Sequence, residues 1–504
     1  MEYYLKACSA FEKIAQYTVI FRFPRVDAYI ASLCAEMGVR DDYARMLFTL
    51  LLSFPLAYFQ TWIKNITVRK LYSLIAGVWI LQFCFSYNWI HCFLSSTIVY
   101  LIVRYGNPKR QPVLVFIVSL AYLSSMTFHS MITDYMSYSL DATTYEMVII
   151  AKLQMFAWGV YDGIYDRKNV DEGTTKGDRM SRVYKRRQQQ YITTMPSPLD
   201  FYAFIFHFPG IFGGPTLFYH EYHDVIGSDK YAAGFPAARY LPALRKFLVG
   251  AVSLGLYVVA TAFFPVEYLL GDALYAKALP VRLAIFAFAM LGYRCRYFGI
   301  WKISESICVV NGFGSVVVKD HETWDGCSNV EIVEFETTSD FSSMVHYWNC
   351  RIQKWLQMCI YERTNFNQVY VYIVSAFWHG FYPAYYCAFG LASMMTLDSR
   401  MARKKLWPRV KGTWMEKPYI VAGSFMCNMV KTFMLGAFSC YTFQKTMLMW
   451  SRVDYFMPVV LLVGGAILAL LPKPVEEKKE WGVCFTILFP NSRQSPEWRK
   501  RRDF

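Results

Sequence analysis

Uncharged stretches recur along this chain from end to end. Residues 46–63, 71–103, 111–133, 201–220, 247–266, 364–397 and 455–472 contain no Asp, Glu, Lys or Arg. A helix needs roughly 20 apolar residues to cross the hydrocarbon core of a bilayer, so the pattern predicts membrane-spanning helices. Weaker apolar segments near 147–161, 281–301, 418–430 and 432–450 bring the expectation to about ten spans, some of them half-helices or re-entrant. Helices satisfy every backbone amide internally, as hydrocarbon demands. A membrane barrel would instead alternate apolar and polar positions over segments of about ten residues, and these runs do not alternate. The expected fold is all-α and polytopic, with short re-entrant and amphipathic helices beside the spans.

Between the runs the chain divides into an N-terminal interfacial segment (1–44), N-terminal transmembrane helices (45–165), a basic loop (166–199), a membrane core (200–472) and a basic tail (473–504). Residues 1–45 carry charges throughout and lack a single apolar core followed by small residues, so no cleavable signal peptide is expected there. Only 18% of residues are charged, against about 25% in a soluble domain. The net charge of +15 is concentrated in 166–190, 401–411 and 497–504. Short basic loops are retained on the cytosolic side of a membrane, so these three are expected to face the cytosol, and no nucleic-acid partner is implied. The 13 cysteines include no CxxC pair, which argues against a disulfide framework and a structural zinc site.

The stretch 302–343, inside the membrane core, mixes Gly, Asp, Glu and β-branched residues and reads as a loop with short strand pairing. Residues 344–363 follow helical spacing at Trp348, Ile352, Trp355, Leu356 and Cys359, with Asn349 and Gln353 together on a neighbouring face. This is expected to be an amphipathic helix at the membrane interface.

One residue is out of keeping with its surroundings. His379 lies in the uncharged run 364–397, within SAFWHGFYPAYY. An ionisable group inside a membrane segment is costly and by default marks a function. Asn349 lies upstream, separated from it by a helix and the turn Arg363-Thr364-Asn365, so the two helices can pack side by side and bring both polar groups together. A neutral imidazole and an amide in an apolar chamber suit acyl transfer. The imidazole takes the proton of a hydroxyl nucleophile, the amide N–H donates to the oxyanion that develops, and the chamber keeps water away.

The residues resemble the membrane-bound O-acyltransferase family, in its lysophospholipid acyltransferase branch. The resemblance is carried by Trp378-His379-Gly380-Phe381-Tyr382-Pro383-Ala384-Tyr385, by the Trp-Asn pair of HYWNCRIQKWL with Asn349, by the acidic segment WDGCSNVEIVEFETT with Trp324, Asp325 and Glu336, and by RCRYFGIW at 294–301. The stretch FPGIFGGPTLFYHEY at 208–222 matches the family's Gly-Pro loop. Together they span roughly 200–390; the first 150 residues match only as a string of apolar helices. Ala384 stands where that branch commonly has Gly, and Arg296 and Phe298 replace Lys and Tyr, which leaves headgroup and acyl preference open.

The resemblance implies a buried catalytic chamber in the endoplasmic reticulum membrane, with long-chain acyl-CoA as co-substrate, a lysophospholipid as acceptor and no cofactor or metal. His379 would be the general base, and Asn349 would polarise the thioester carbonyl or position the acceptor. Because coenzyme A carries several phosphates, cations are needed at its mouth; Arg294, Arg296, Lys302 and Lys354 are the candidates, each also explicable as a side chain snorkelling to an interface. Trp378, Tyr382 and Tyr297 join them as substrate contacts, and Trp324, Asp325 and Glu336 would hold the loop over the site or simply anchor it.

Other readings stay open. The same chemistry serves a diacylglycerol, sterol or protein acceptor, and a transporter using His379 as proton relay would need further intramembrane charges. His220 and His223 are three apart beside Glu221 and Asp224 but form no HExxH frame.

Overall fold

A computed structural model describes residues 2–472 except 22, 138, 176–178, 231, 233, 319 and 320, so the expected basic tail 473–504 lies outside the described residues. The N-terminal segment forms α1 (Glu2–Ala15) and α2 (Pro24–Met37). Pro24 opens α2, where its missing N–H costs nothing, and Gly38 closes it in the left-handed conformation. A first layer follows: α3 (Asp41–Gln60), α4 (Ile66–Phe85), α5 (Trp89–Tyr105), α6 (Gln111–Thr133) and α7 (Thr143–Val160). Next come the charge-balanced α8 (Arg167–Gly173) and the basic α9 (Arg179–Gln190), then α10 (Pro198–Ile205) and α11 (Tyr219–Val225). Much of the expected loop 166–199 is therefore helical.

The second half begins with α12 (Tyr240–Phe263), α13 (Val266–Leu270), α14 (Asp272–Tyr275) and the 32-residue α15 (Leu279–Val310). Small residues let α12 and α15 lie against each other: a Cβ on Gly250 would fall 2.9 Å from the Gly299 carbonyl oxygen, and one on Gly292 2.0 Å from the Ala260 Cβ. Residues 302–310, expected in a loop, thus continue a helix. The loop proper starts at Asn311 and contains the antiparallel pair β1 (Val316–Val318) and β2 (His321–Thr323), with Val316 opposite Thr323. It leads into α16 (Ile332–Thr337), α17 (Phe341–Tyr347) and α18 (Cys350–Leu356).

The 34-residue uncharged run does not cross as one helix. It breaks into α19 (Gln368–His379) and α20 (Pro383–Lys405) at Gly380, whose φ of 111° suits no residue with a side chain. After α21 (Trp407–Val410) come α22 (Glu416–Cys440), α23 (Phe443–Ser451) and α24 (Phe456–Leu470), the last two bent by 81°. Among the described residues six helical stretches are long and apolar enough to cross a membrane, seven if that bent pair is one span. The expected ten came from counting apolar tracts, and a tract does not reveal its breaks: 201–220 holds the end of the eight-residue α10, a turn-rich segment and the start of α11.

Candidate active site

Gly380 fixes where His379 sits. Left-handed backbone directly after it makes His379 the last residue of α19, and Pro383 starts α20 in its first turn. The imidazole is boxed by aromatic rings, with centroids at 5.1 Å from Phe438, 5.4 Å from Phe389, 6.0 Å from Tyr385 and 4.8 Å from Trp378. Trp378 donates its indole N–H to the Met147 carbonyl at 2.9 Å and packs on Trp355. So α19 is pinned to α7 while its histidine faces a chamber.

That chamber has a volume of about 1050 Å³, and both His379 and Asn349 line it. Residues of α7, α15, α17, α18, α19, α20 and α22 contribute to its wall. Asn349 interrupts the expected amphipathic helix. Its φ of 48° and ψ of 52° are left-handed, a conformation that asparagine tolerates better than most residues, and it separates α17 from α18. Its side-chain oxygen is buried with no hydrogen-bond partner. Leaving such an oxygen unsatisfied costs about 1–3 kcal/mol. Gln353, one turn on, lines the same chamber.

Three devices hold Asn349 there. Trp348 wedges among Trp301 (4.7 Å), Phe335 (4.9 Å), Tyr297 (5.6 Å) and Phe298 (5.9 Å), so the Trp-Asn pair seats on the RCRYFGIW segment of α15. Next, residues 329–331 bracket the site: Cys350 donates its backbone N–H to Asn329 at 2.7 Å, and Glu331 donates to Tyr347 at 3.1 Å. Finally, Arg351 ties α18 to the Gly-Pro loop, donating to the Thr216 carbonyl at 2.9 Å and pairing with Glu221. Glu221 also accepts the Phe218 N–H at 2.8 Å and so starts α11. Burial would raise the Glu221 carboxyl, but Arg351 and Lys354 overcome it and hold it at about 2.

The cations proposed for substrate separate into groups. Arg294, Arg296, Tyr297 and Trp378 line the chamber. Arg294 grips Glu336 with two bonds of 2.7 and 3.1 Å, and Lys431 pairs with the same carboxylate at 2.6 Å. Two cations thus share one anion at the wall, because Lys431 also lines the chamber. Arg296 donates to the Tyr297 hydroxyl at 3.1 Å. Lys302, Trp324, Asp325, Glu336, Lys354 and Tyr382 are not among the lining residues. Lys302 pairs with Glu305 at 2.8 Å, three residues along its own helix, and Lys246 bridges Glu305 to Asp325 at 3.2 and 2.9 Å. Trp324 is packed into the core beneath that loop. Lys354 lies over the Phe218 ring, and burial brings its ammonium down to about 8. Tyr382 accepts the Met136 N–H at 3.3 Å and packs against Tyr135 and, edge-on, against Tyr441.

Glu305, Asn329, Arg351 and Lys431 are supporting residues that the sequence reading does not single out. The Lys302–Glu305 spacing of three was a usable signal; the Arg351–Glu221 pair, 130 residues apart, gave none. Among the described residues no group of three or more His, Cys, Asp or Glu is placed to hold a metal ion.

Comparison with known proteins bears on this chamber. The family profile described as membrane-bound O-acyltransferase matches residues 127–444, which include both Asn349 and His379. A protein named lysophospholipid acyltransferase from Schizosaccharomyces pombe is 24% identical over 470 residues, covering 88% of each chain. Membrane-bound glycerophospholipid O-acyltransferase 2 from Gallus gallus is 28% identical over 358 residues, 67% of each chain. Lysophospholipid acyltransferase 6 from Drosophila melanogaster is 24% identical over 429 residues, 81% of this chain and 57% of the other.

Proposed function

This chain belongs to the membrane-bound O-acyltransferase family, and from that premise we propose that it moves a long-chain acyl group from acyl-CoA to the free hydroxyl of a lysophospholipid. The observation that carries the reading is the chamber shared by His379 and the unsatisfied Asn349 amide. The names of the relatives supply the acceptor class. As the resemblance implies, the compartment is the endoplasmic reticulum membrane.

The imidazole takes the proton from the acceptor hydroxyl as its oxygen attacks the thioester carbon. Asn349 donates from its amide nitrogen to the oxyanion, while its free oxygen accepts from a substrate donor. Collapse of the tetrahedral species breaks the C–S bond, and the imidazolium returns the proton to the departing thiolate. The aromatic box around His379 keeps water from competing for the acyl group. Arg294 and Lys431, sharing Glu336, leave one positive charge at the wall for an anionic part of either substrate.

The test is transfer from labelled oleoyl-CoA into a panel of lysophospholipids by membranes carrying the intact protein, His379→Ala or Asn349→Ala at matched expression. Product that depends on His379 supports the reading and names the headgroup. Absence of product with every lysolipid, from folded protein, transfers the search to sterol, diacylglycerol and protein acceptors.

A further inference from the structure

One end of the chamber carries charges that the acyl-transfer steps leave unused. Arg296 lines it, and no carboxylate among the described residues pairs with this guanidinium. Arg294, two residues away, is neutralised by Glu336; Arg296 instead lies over the rings of Tyr257 (5.6 Å) and Tyr297 (5.0 Å). Glu267 lines the same chamber, and no cation among the described residues pairs with it. Tyr43 and Tyr293 complete this part of the wall, Tyr293 meeting Tyr257 edge-on at 6.1 Å.

A guanidinium without a carboxylate calls for an anion. Arginine presents a planar fork that matches a phosphate. A carboxylate beside tyrosine rings attracts a cation, and ring faces bind ammonium groups, quaternary ones included. Both demands are met by one ligand that carries a phosphodiester and an amine.

The location fits. Asp42 accepts the Leu140 N–H at 2.8 Å, which ties the first turn of α3, where Tyr43 sits, to the start of α7. The basic helix α9 follows the other end of α7, after the charge-balanced α8. The tyrosine-lined end therefore lies away from that basic helix, and Glu267 there would repel the phosphates of coenzyme A.

We propose that Arg296, Glu267 and the rings of Tyr43, Tyr257 and Tyr293 form a headgroup site for a zwitterionic lysophospholipid, with Arg296 on the phosphate and Glu267 and the rings on the choline or ethanolamine nitrogen. This rests on the lysophospholipid reading above. Acidic acceptors fit worse. Inositol and phosphatidic headgroups bring no cation to Glu267, and serine brings a second carboxylate.

The experiment uses the full-length protein in vesicles, with oleoyl-CoA and lysophosphatidylcholine, lysophosphatidylethanolamine, lysophosphatidylinositol or lysophosphatidic acid. The intact protein is expected to use the two zwitterionic acceptors about tenfold better in kcat/KM than the acidic pair. Glu267→Gln is expected to raise KM for lysophosphatidylcholine about tenfold with kcat retained, and not to raise KM for lysophosphatidic acid; Arg296→Gln raises KM for all four. Equal effects of Glu267→Gln on every acceptor, no effect at all, or a preference of the intact protein for acidic acceptors overturns the headgroup site while acyl transfer stands. Transfer to no lysolipid by the intact protein removes the acyltransferase reading itself. Should Arg296→Gln fail to fold, Glu267→Gln decides alone, since that carboxylate is exposed and supports no packing.

Discussion

The carboxylate of Glu305 accepts the backbone N–H of Asn329 at 2.8 Å. Asn329 in turn accepts the N–H of Cys350, next to Asn349. A buried anion on α15 therefore sets the backbone beside a candidate catalytic amide, and Lys302 and Lys246 balance its charge. Removing one member of such a buried set leaves uncompensated charge and costs about 3–5 kcal/mol. Glu305→Ala is expected to lower the thermal midpoint of the purified protein by that measure and to depress acyl transfer with it. Pairing it with Lys302→Met restores part of the loss. An unchanged midpoint in the single variant would show that this segment is held by other means.

Asn349 combines a backbone role with a side-chain role, and two substitutions separate them. Glycine adopts the left-handed conformation freely, so Asn349→Gly keeps the break between α17 and α18 but loses the amide. Alanine loses the amide and adds about 1–2 kcal/mol of strain. Both are expected to lower kcat by roughly 10²–10³, with only Asn349→Ala lowering the thermal midpoint. Retained turnover in Asn349→Gly would exclude the amide from the chemistry.

His379 as general base must be neutral before it acts. kcat/KM is then expected to fall about tenfold per pH unit below the imidazole pKa in the free enzyme. His379→Ala loses roughly 10²–10⁴ in kcat, and its residual rate lacks the acid limb. An acid limb that persists in that variant belongs to another titrating group.

The Glu221–Arg351 pair has its own pH signature. The carboxyl sits at about 2 when folded, against 4.5 in an ordinary setting. A depressed acid stabilises the fold fully above its unfolded pKa and loses that contribution as pH falls toward the folded value. The protein is therefore expected to lose stability between about pH 5 and pH 2, and Glu221→Gln to be less stable at neutral pH with a flatter acid slope. Equal slopes would place the titration elsewhere.

His379 stands out in the sequence because it is ionisable inside an uncharged run, and Asn349 because one helix and a turn separate it from that histidine; both line the chamber. Lys302, singled out as a cation for coenzyme A, pairs with Glu305 one turn away and is not among the lining residues. Uncharged tracts locate helices but not their ends: one glycine with positive φ divides 364–397, and one left-handed asparagine divides 344–363. Nothing local in the chain marks Arg351 as the link to Thr216 and Glu221, because both partners come from a loop far upstream.

The glycine after His379 makes the bearing of this imidazole a matter of phase. Each residue of an α-helix turns the side chain by about 100°. With α19 anchored by Trp378 on Met147 and stopped at Gly380, a single residue inserted between Trp378 and His379 would swing the imidazole off the chamber. One inserted in the turn before Gln368 would leave its bearing intact. Length variation is thus tolerable ahead of this helix and ruinous at its last step, so the spacing from tryptophan to glycine works as a fixed angular setting of the imidazole.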